Sequence, residues 1–326
     1  MTAPSKQPTA WRRNRNRSAV RRVSALRDDV LDGLRAQPRM LPPKWLYDAE
    51  GARLFEEITA LPEYYPTRTE LGIIAAHASE IAALVGPDAV LVEYGSGAGR
   101  KIRLLLDALE CPAAYVPIDI SGEQLQEVTA ALRNDYPDVG IHPVRADYTQ
   151  PLNLPRLSGE SRRVAFFPGS TIGNFDPIDA RRFLREVRRT VGDDGAMILG
   201  LDRAKDTETL IAAYDDARGV TAAFNLNLLT RINRELDADF DLSQFTHLAR
   251  WNAAASRIEM HLRSESDQTV TVAGVPISFR QGETIWTESS YKYDRPMLDQ
   301  LLADTGFSLR QLWTDDADRF WVALLE

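Results

Sequence analysis

The sequence predicts an α/β protein: a doubly wound, mostly parallel sheet with an antiparallel C-terminal edge, accompanied by a smaller α+β unit. Three observations carry this. From residue 88 to 202 short apolar runs alternate with amphipathic segments, the rhythm of βαβ units. Residues 206–290 break that rhythm, and the chain then ends in two apolar strands. A length of 326 residues is enough for two cores.

Met1 to Arg27 holds eight basic and no acidic residues, and 1–24 reads as a basic mobile arm. It lacks the apolar central block of a secretory signal. Helical periodicity over 25–36 stops before Leu41-Pro42-Pro43-Lys44, because proline cannot continue a helix. A helix over 51–59 follows, then a loop with two prolines over 61–68, then a helix capped by Thr67 or Thr69 that reaches Leu84. The alternating region gives strands at 89–94, 114–120, 140–144, 164–167 and 196–202, with helices at 101–109, 122–134 and 177–191. Helices are expected over 207–218 and 221–236, and antiparallel strands over 246–251, 257–264 and 269–275. A helix at 295–305 and strands at 308–314 and 320–325 close the chain. The expected organisation is therefore an arm (1–24), N-terminal helices (25–66), a sheet domain (67–205 with 291–326) and an inserted unit (206–290).

The net charge is −8, and the basic N-terminus makes the remainder more acidic still. That is a poor surface for nucleic acid, whose phosphates require clustered Lys and Arg. No apolar run approaches the roughly 18 residues of a membrane span. The single Cys111 excludes an internal disulfide. A monomeric cytoplasmic protein is expected. The four histidines show no metal-ligand spacing, so no metal is expected.

The chemistry begins at Val92-Glu93-Tyr94-Gly95-Ser96-Gly97-Ala98-Gly99-Arg100-Lys101, the first strand-to-helix turn, where glycines allow close backbone approach to a ligand. Arg100 stands where a dinucleotide fingerprint wants its third glycine, which argues against pyrophosphate. The glycines alone fit either a nucleoside or a tight turn. Asp119, ending the second strand, can accept both ribose hydroxyls, and Asp147 beside Tyr148 can accept from an adenine amino group. With Glu93 of the glycine motif, these make three acidic sites at consecutive strand ends, where open α/β sheets bind ligands, and they point to an adenosyl group without pyrophosphate: S-adenosylmethionine. The small-residue loop from Gly169 to Asn174 suits an amino acid's ammonium and carboxylate.

Four strings then resemble a known family: Pro43-Lys44-Trp45-Leu46-Tyr47-Asp48, Leu61-Pro62-Glu63-Tyr64-Tyr65-Pro66-Thr67-Arg68, Gly169-Ser170-Thr171-Ile172-Gly173-Asn174, and Ala213-Tyr214-Asp215-Asp216-Ala217 with Gly219 to Asn225. They resemble the histidine N-α-methyltransferases of ergothioneine biosynthesis, from about residue 25 to the end. The resemblance implies a Rossmann-like methyltransferase domain that binds S-adenosylmethionine, and trimethylation of the histidine α-amino group to hercynine. It places Gly95, Ser96, Gly97, Lys101, Asp119, Asp147, Tyr148 and Gly169 at the cofactor. Tyr64, Asn174 and Tyr214 would hold the carboxylate and amino groups of histidine, with Tyr47 close to the reacting amine. Met260 would contact the imidazole, and Glu288 and Ser290, on one strand face, would address its two nitrogens. The rivals are an N-methyltransferase for another aromatic amino acid and a non-catalytic sensor of S-adenosylmethionine or an amino acid.

Overall fold

The computed structural model describes residues 10–150, 152, 154, 155 and 161–326, with side chains from residue 23 onward. Helix α1 (Ala10–Arg35) starts well before residue 25, so residues 10–24 of the expected arm are helical. Residues 1–9 lie outside the described residues. The physical reason is composition: from Ala10 to Asp32 the chain has no Pro or Gly, and its arginines are good helix formers as well as charges. Leu26, Val30, Leu31 and Leu34 form the buried stripe of α1. A two-residue strand, β1 (Arg39–Met40), and a 3-10 turn (Pro43–Leu46) follow.

Helix α2 (Ala49–Thr59) is capped by Asp48, which accepts from Gly51 N at 2.9 Å. Helix α3 (Tyr65–Val85) begins two residues before the expected cap. Pro66 sits in its first turn, where the missing N–H costs nothing, so Thr67 and Thr69 lie inside the helix.

The alternating region folds as β2 (Val90–Tyr94), α4 (Arg100–Ala108), β3 (Ala114–Asp119), α5 (Gly122–Asp135), β4 (Gly140–Ile141), β5 (Val144–Arg145), β6 (Arg163–Phe167), α6 (Pro177–Val191) and β7 (Ala196–Asp202). The strand expected at 140–144 is split into β4 and β5 at Pro143, which has no N–H for the ladder. Helix α7 (Thr207–Ala212) is shorter than expected because Asp216 starts the next one. Its carboxylate accepts from Val220 N and Thr221 N at the head of α8 (Val220–Leu236). Strands β8 (Phe245–Asn252) and β9 (Arg257–Ser264) precede a hairpin of β10 (Gln268–Val272) and β11 (Val275–Phe279), then β12 (Thr284–Tyr291). The run expected as one strand to residue 275 turns at Ala273-Gly274, both at positive φ, as a two-residue hairpin requires. The chain ends in α9 (Arg295–Leu302), β13 (Leu309–Thr314) and β14 (Phe320–Leu325).

Two compact units result: residues 47–221, 249–260 and 289–326; and residues up to Leu46 with 222–248 and 261–288. The breaks at 46/47, 221/222 and 288/289 differ from those expected at 66/67, 205/206 and 290/291. Helix α2 belongs with α3, where Phe55 meets Tyr64 edge to face. In the larger unit an eight-stranded sheet runs β13-β14-β7-β6-β2-β3-β4, with β5 also on β3. Strands β2 to β7 pair in parallel and β14 is antiparallel to β7, giving the doubly wound, Rossmann-like sheet with its antiparallel edge. Val92, Ile118, Phe167 and Leu199 face α6 and α9, while Leu91, Tyr115, Phe166 and Ile198 face α3 and α4. Chain order reverses between β6 and β3 on either side of β2, the place where such sheets bind ligands.

In the smaller unit, β1 lies parallel to β12 in a sheet of order β1-β12-β9-β8. Gly33 lets α1 approach it: a Cβ there would stand 2.0 Å from Met40 O. Arg39 bonds to Glu283 at 2.7 Å and covers the Phe279 ring, while Arg231 donates to Trp45 O. Among the described residues no helix is long and apolar enough to cross a membrane.

Candidate active site

The turn after β2 holds Gly95, Gly97 and Gly99 at φ of +80, +46 and +69°, a conformation only glycine adopts readily. Gly95 N donates to Ile118 O at 2.8 Å, which ties the turn to the end of β3. Ser96 is buried there, and its hydroxyl has no hydrogen-bond partner among the described residues. Asp119 ends β3 beside it. Burial raises its carboxyl, opposed by the N–H groups of Ser121, Gly97 and Ser96 that point at it. The Tyr148 ring covers Gly95, with Cε1 3.7 Å from where a Cβ would stand, and packs edge-on against Tyr94 and Phe167. Asp147 accepts from Thr149 N at 2.9 Å, closing the turn that presents Tyr148.

Lys101 and Gly169 also come together, through a residue that sequence reasoning missed. Glu70, 1% exposed, accepts from Gly169 N at 2.8 Å and pairs with Lys101 Nζ at 2.5 Å. Gly200 makes room for it, since a Cβ there would stand 2.1 Å from Glu70 Oε1. Lys101 is thus neutralised by a carboxylate that also anchors the Gly169 loop. Glu93, the acidic residue of the glycine motif, is buried against Tyr115 Oη, and burial lifts its carboxyl to about 8.

The loop after β6 turns through Gly169 and Ser170, both at positive φ, into a 3-10 turn ending at half-buried Asn174. Ser170 Oγ accepts from Asp202 N at 2.8 Å. A Cβ on Gly173 would meet Tyr291 O at 2.8 Å, so this loop lies against the segment after β12.

Three of the predicted tyrosines form one aromatic chain. Tyr47 meets Phe55 at 5.5 Å, Phe55 meets Tyr64 at 6.2 Å, and Tyr64 meets Tyr214 at 6.2 Å, all edge to face. Phe55, the linking ring, has no polar atom to single it out in the sequence. Tyr214 Oη lies 2.7 Å from Ser290 Oγ. Met260 is buried at 2% exposure in the same unit. Glu288, buried on β12, belongs to the smaller unit, and its carbonyl accepts from Trp286 Nε1.

Behind Tyr214 and Ser290 stands a charge cluster absent from the sequence-derived site. Lys292 Nζ donates to Tyr214 Oη at 2.9 Å and Ser290 Oγ at 2.8 Å, and pairs with Asp202 at 2.7 Å. Tyr65 Oη donates to Asp202 at 2.7 Å, and Lys205 Nζ lies 2.6 Å from the same carboxylate. Burial would raise Asp202, but Lys292 and Lys205 outweigh it and hold the carboxyl below its ordinary value. Burial lowers Lys205 to about 8, against the pull of Asp202. The signal for Lys292 was present: the step of two that links Glu288 to Ser290 continues to it. A lysine at a strand end reads as solvated, however.

Residues 26–326 match a family model described as a histidine-specific, SAM-dependent methyltransferase. The chain is 45% identical over 307 residues to a histidine N-alpha-methyltransferase of Mycolicibacterium smegmatis, covering 93% of this chain and 95% of that protein. It is 43% identical over 305 residues to one from Mycobacterium tuberculosis, covering 92% and 94%. It is also 34% identical over 225 residues to ergothioneine biosynthesis protein 1 of Neurospora crassa, covering 66% of this chain and 26% of that protein.

Proposed function

We propose that this chain, which belongs to the histidine-specific, S-adenosylmethionine-dependent methyltransferase family, transfers three methyl groups to the α-amino group of L-histidine, yielding hercynine for ergothioneine biosynthesis. The observation that carries the reading is the meeting of Tyr64, Tyr214 and Ser290 in one unit with the glycine turn and Asp119. A monomeric cytoplasmic enzyme fits the acidic chain with its single cysteine.

The residues fit the cofactor: a cradle of glycines at positive φ, a buried serine hydroxyl and a carboxylate at the next strand end. S-Adenosylmethionine supplies a methyl group activated on a sulfonium. Gly95, Ser96 and Gly97 would line its backbone side, Asp119 would take the ribose hydroxyls, and Asp147 and Tyr148 the adenine. Lys101 and Gly169, braced by Glu70, would border its methionine end.

Methyl transfer needs a neutral amine aligned in a dry site, so positioning can supply much of the rate. Tyr64, Asn174 and Tyr214 would fix the carboxylate and amino groups, and the ring of Phe55 holds Tyr47 and Tyr64 at set spacing. Tyr47, or a water it orders, would take the proton that the ammonium sheds before each transfer. Glu288 would accept an imidazole N–H while Ser290 addresses the other ring nitrogen, with Met260 against the ring.

Competition between histidine and tryptophan tests the reading. The wild-type protein should favour histidine in kcat/KM by at least about a hundredfold, and Glu288→Ala should remove most of that preference, because a site built around a ring N–H loses its partner. Full preference retained in Glu288→Ala would refute the assignment of histidine recognition to this carboxylate.

A further inference from the structure

Lys292 has an exposure of 0%. Burying an ammonium costs several kcal/mol unless its protons find acceptors. Here each of the three does: Tyr214 Oη, Ser290 Oγ and Asp202 Oδ2, all within 2.9 Å. The backbone fixes the root of the side chain, since Lys292 N donates to Ser256 O at 2.7 Å and Tyr293 N to Asp202 O at 2.8 Å. Asp202 is itself pinned by Tyr65 and Lys205. The ammonium is therefore held in one place.

A folded core does not require such a group. The hydroxyls of Tyr214 and Ser290 already reach each other, and with an apolar side chain at 292 Asp202 would still pair with Lys205. We propose that Lys292 is a positioning residue of the amino-acid site, which turns the Tyr214–Ser290 hydroxyl pair into a hydrogen-bond donor aimed at the α-carboxylate of the substrate. An ammonium only donates, so it occupies a lone pair on both hydroxyl oxygens and directs both hydroxyl protons away from itself. One of those protons lies in the Tyr214–Ser290 bond. The other is presented as a donor. Two ammonium groups against one carboxylate leave the cluster positive, which favours a carboxylate as acceptor and repels an α-ammonium. The inference rests on the functional reading above, in which Tyr214 and Ser290 contact histidine.

The test is Lys292→Met, which leaves Asp202 paired with Lys205, with a companion Lys292→Met/Asp202→Asn/Lys205→Met that removes all three charges of the cluster should the single variant fold poorly. Steady-state kinetics with histidine are combined with calorimetric titration of histidine and of histidinol, which lacks the carboxylate. The expected result is a KM for histidine raised at least about tenfold, with kcat changed less than about threefold and S-adenosylmethionine affinity unchanged. The wild type should bind histidine more tightly than histidinol, and that ratio should collapse in the variant. An unchanged KM in either variant, or equal weakening of histidine and histidinol, overturns the proposal. Failure of the functional reading is separately visible, as wild-type protein that transfers no methyl to histidine, and it would remove both.

Discussion

The proposed cofactor end and the proposed substrate end of the larger unit are built from different material. Around Gly95 to Gly99 the contacts are backbone groups, three glycines and one strand-end carboxylate, Asp119, drawn from 25 consecutive residues. Around Tyr214 and Ser290 they are side chains from four separate stretches, near residues 65, 202, 214 and 290, organised by a buried lysine. A backbone cradle binds what every member of a reaction class shares and survives most side-chain changes. A side-chain cluster can be retuned residue by residue, and is fragile at its charged centre.

The largest expected effect follows from that fragility. Asp202→Ala leaves Lys292 buried without its carboxylate, which should cost about 3–5 kcal/mol of stability, read as a lower midpoint in chemical denaturation, together with loss of methyl transfer. Stability within 1 kcal/mol of wild type would show that the cluster is not the keystone of the substrate end.

A smaller effect separates the two ends. Asp119→Ala should weaken S-adenosylmethionine by about 2–3 kcal/mol, roughly 30- to 150-fold in calorimetric Kd, because charged hydrogen bonds to the ribose are lost. At saturating cofactor the KM for histidine should move less than about threefold. Parallel losses in both would break the comparison.

The smallest effect is on pH dependence. Burial raises Glu93 from its ordinary 4.5 to about 8, so the folded protein holds this proton more tightly than the unfolded chain does. Its contribution is complete at low pH and is lost as pH rises from about 4.5 towards about 8. The wild-type Tm should therefore fall across that range, and fall less steeply in Glu93→Gln. Identical slopes would place the Glu93 proton outside the linkage.

The same division decides how much was legible in the sequence. The parallel sheet, the glycine turn and Asp119 follow from local patterns, apolar runs of strand length punctuated by glycine, and the structure places them as expected. The proposed substrate residues Tyr64 and Tyr214 were reached through resemblance, because a lone tyrosine carries no local signal. Tyr65, Glu70, Asp202, Lys205 and Lys292 escaped notice because their meaning lies in partners as far as 227 positions away, as Tyr65 and Lys292 meet on Asp202. The early start of α1 escaped for the opposite reason, since its arginines signal charge more loudly than helix propensity.

The most direct test of the whole account is mass spectrometry of reactions containing the purified protein, S-adenosylmethionine and each common amino acid in turn. The account predicts three methyl groups on histidine and none on the others. Methylation of a different amino acid would contradict the reading of the side-chain cluster while leaving the cofactor end intact, and cofactor binding without any product would contradict catalysis itself.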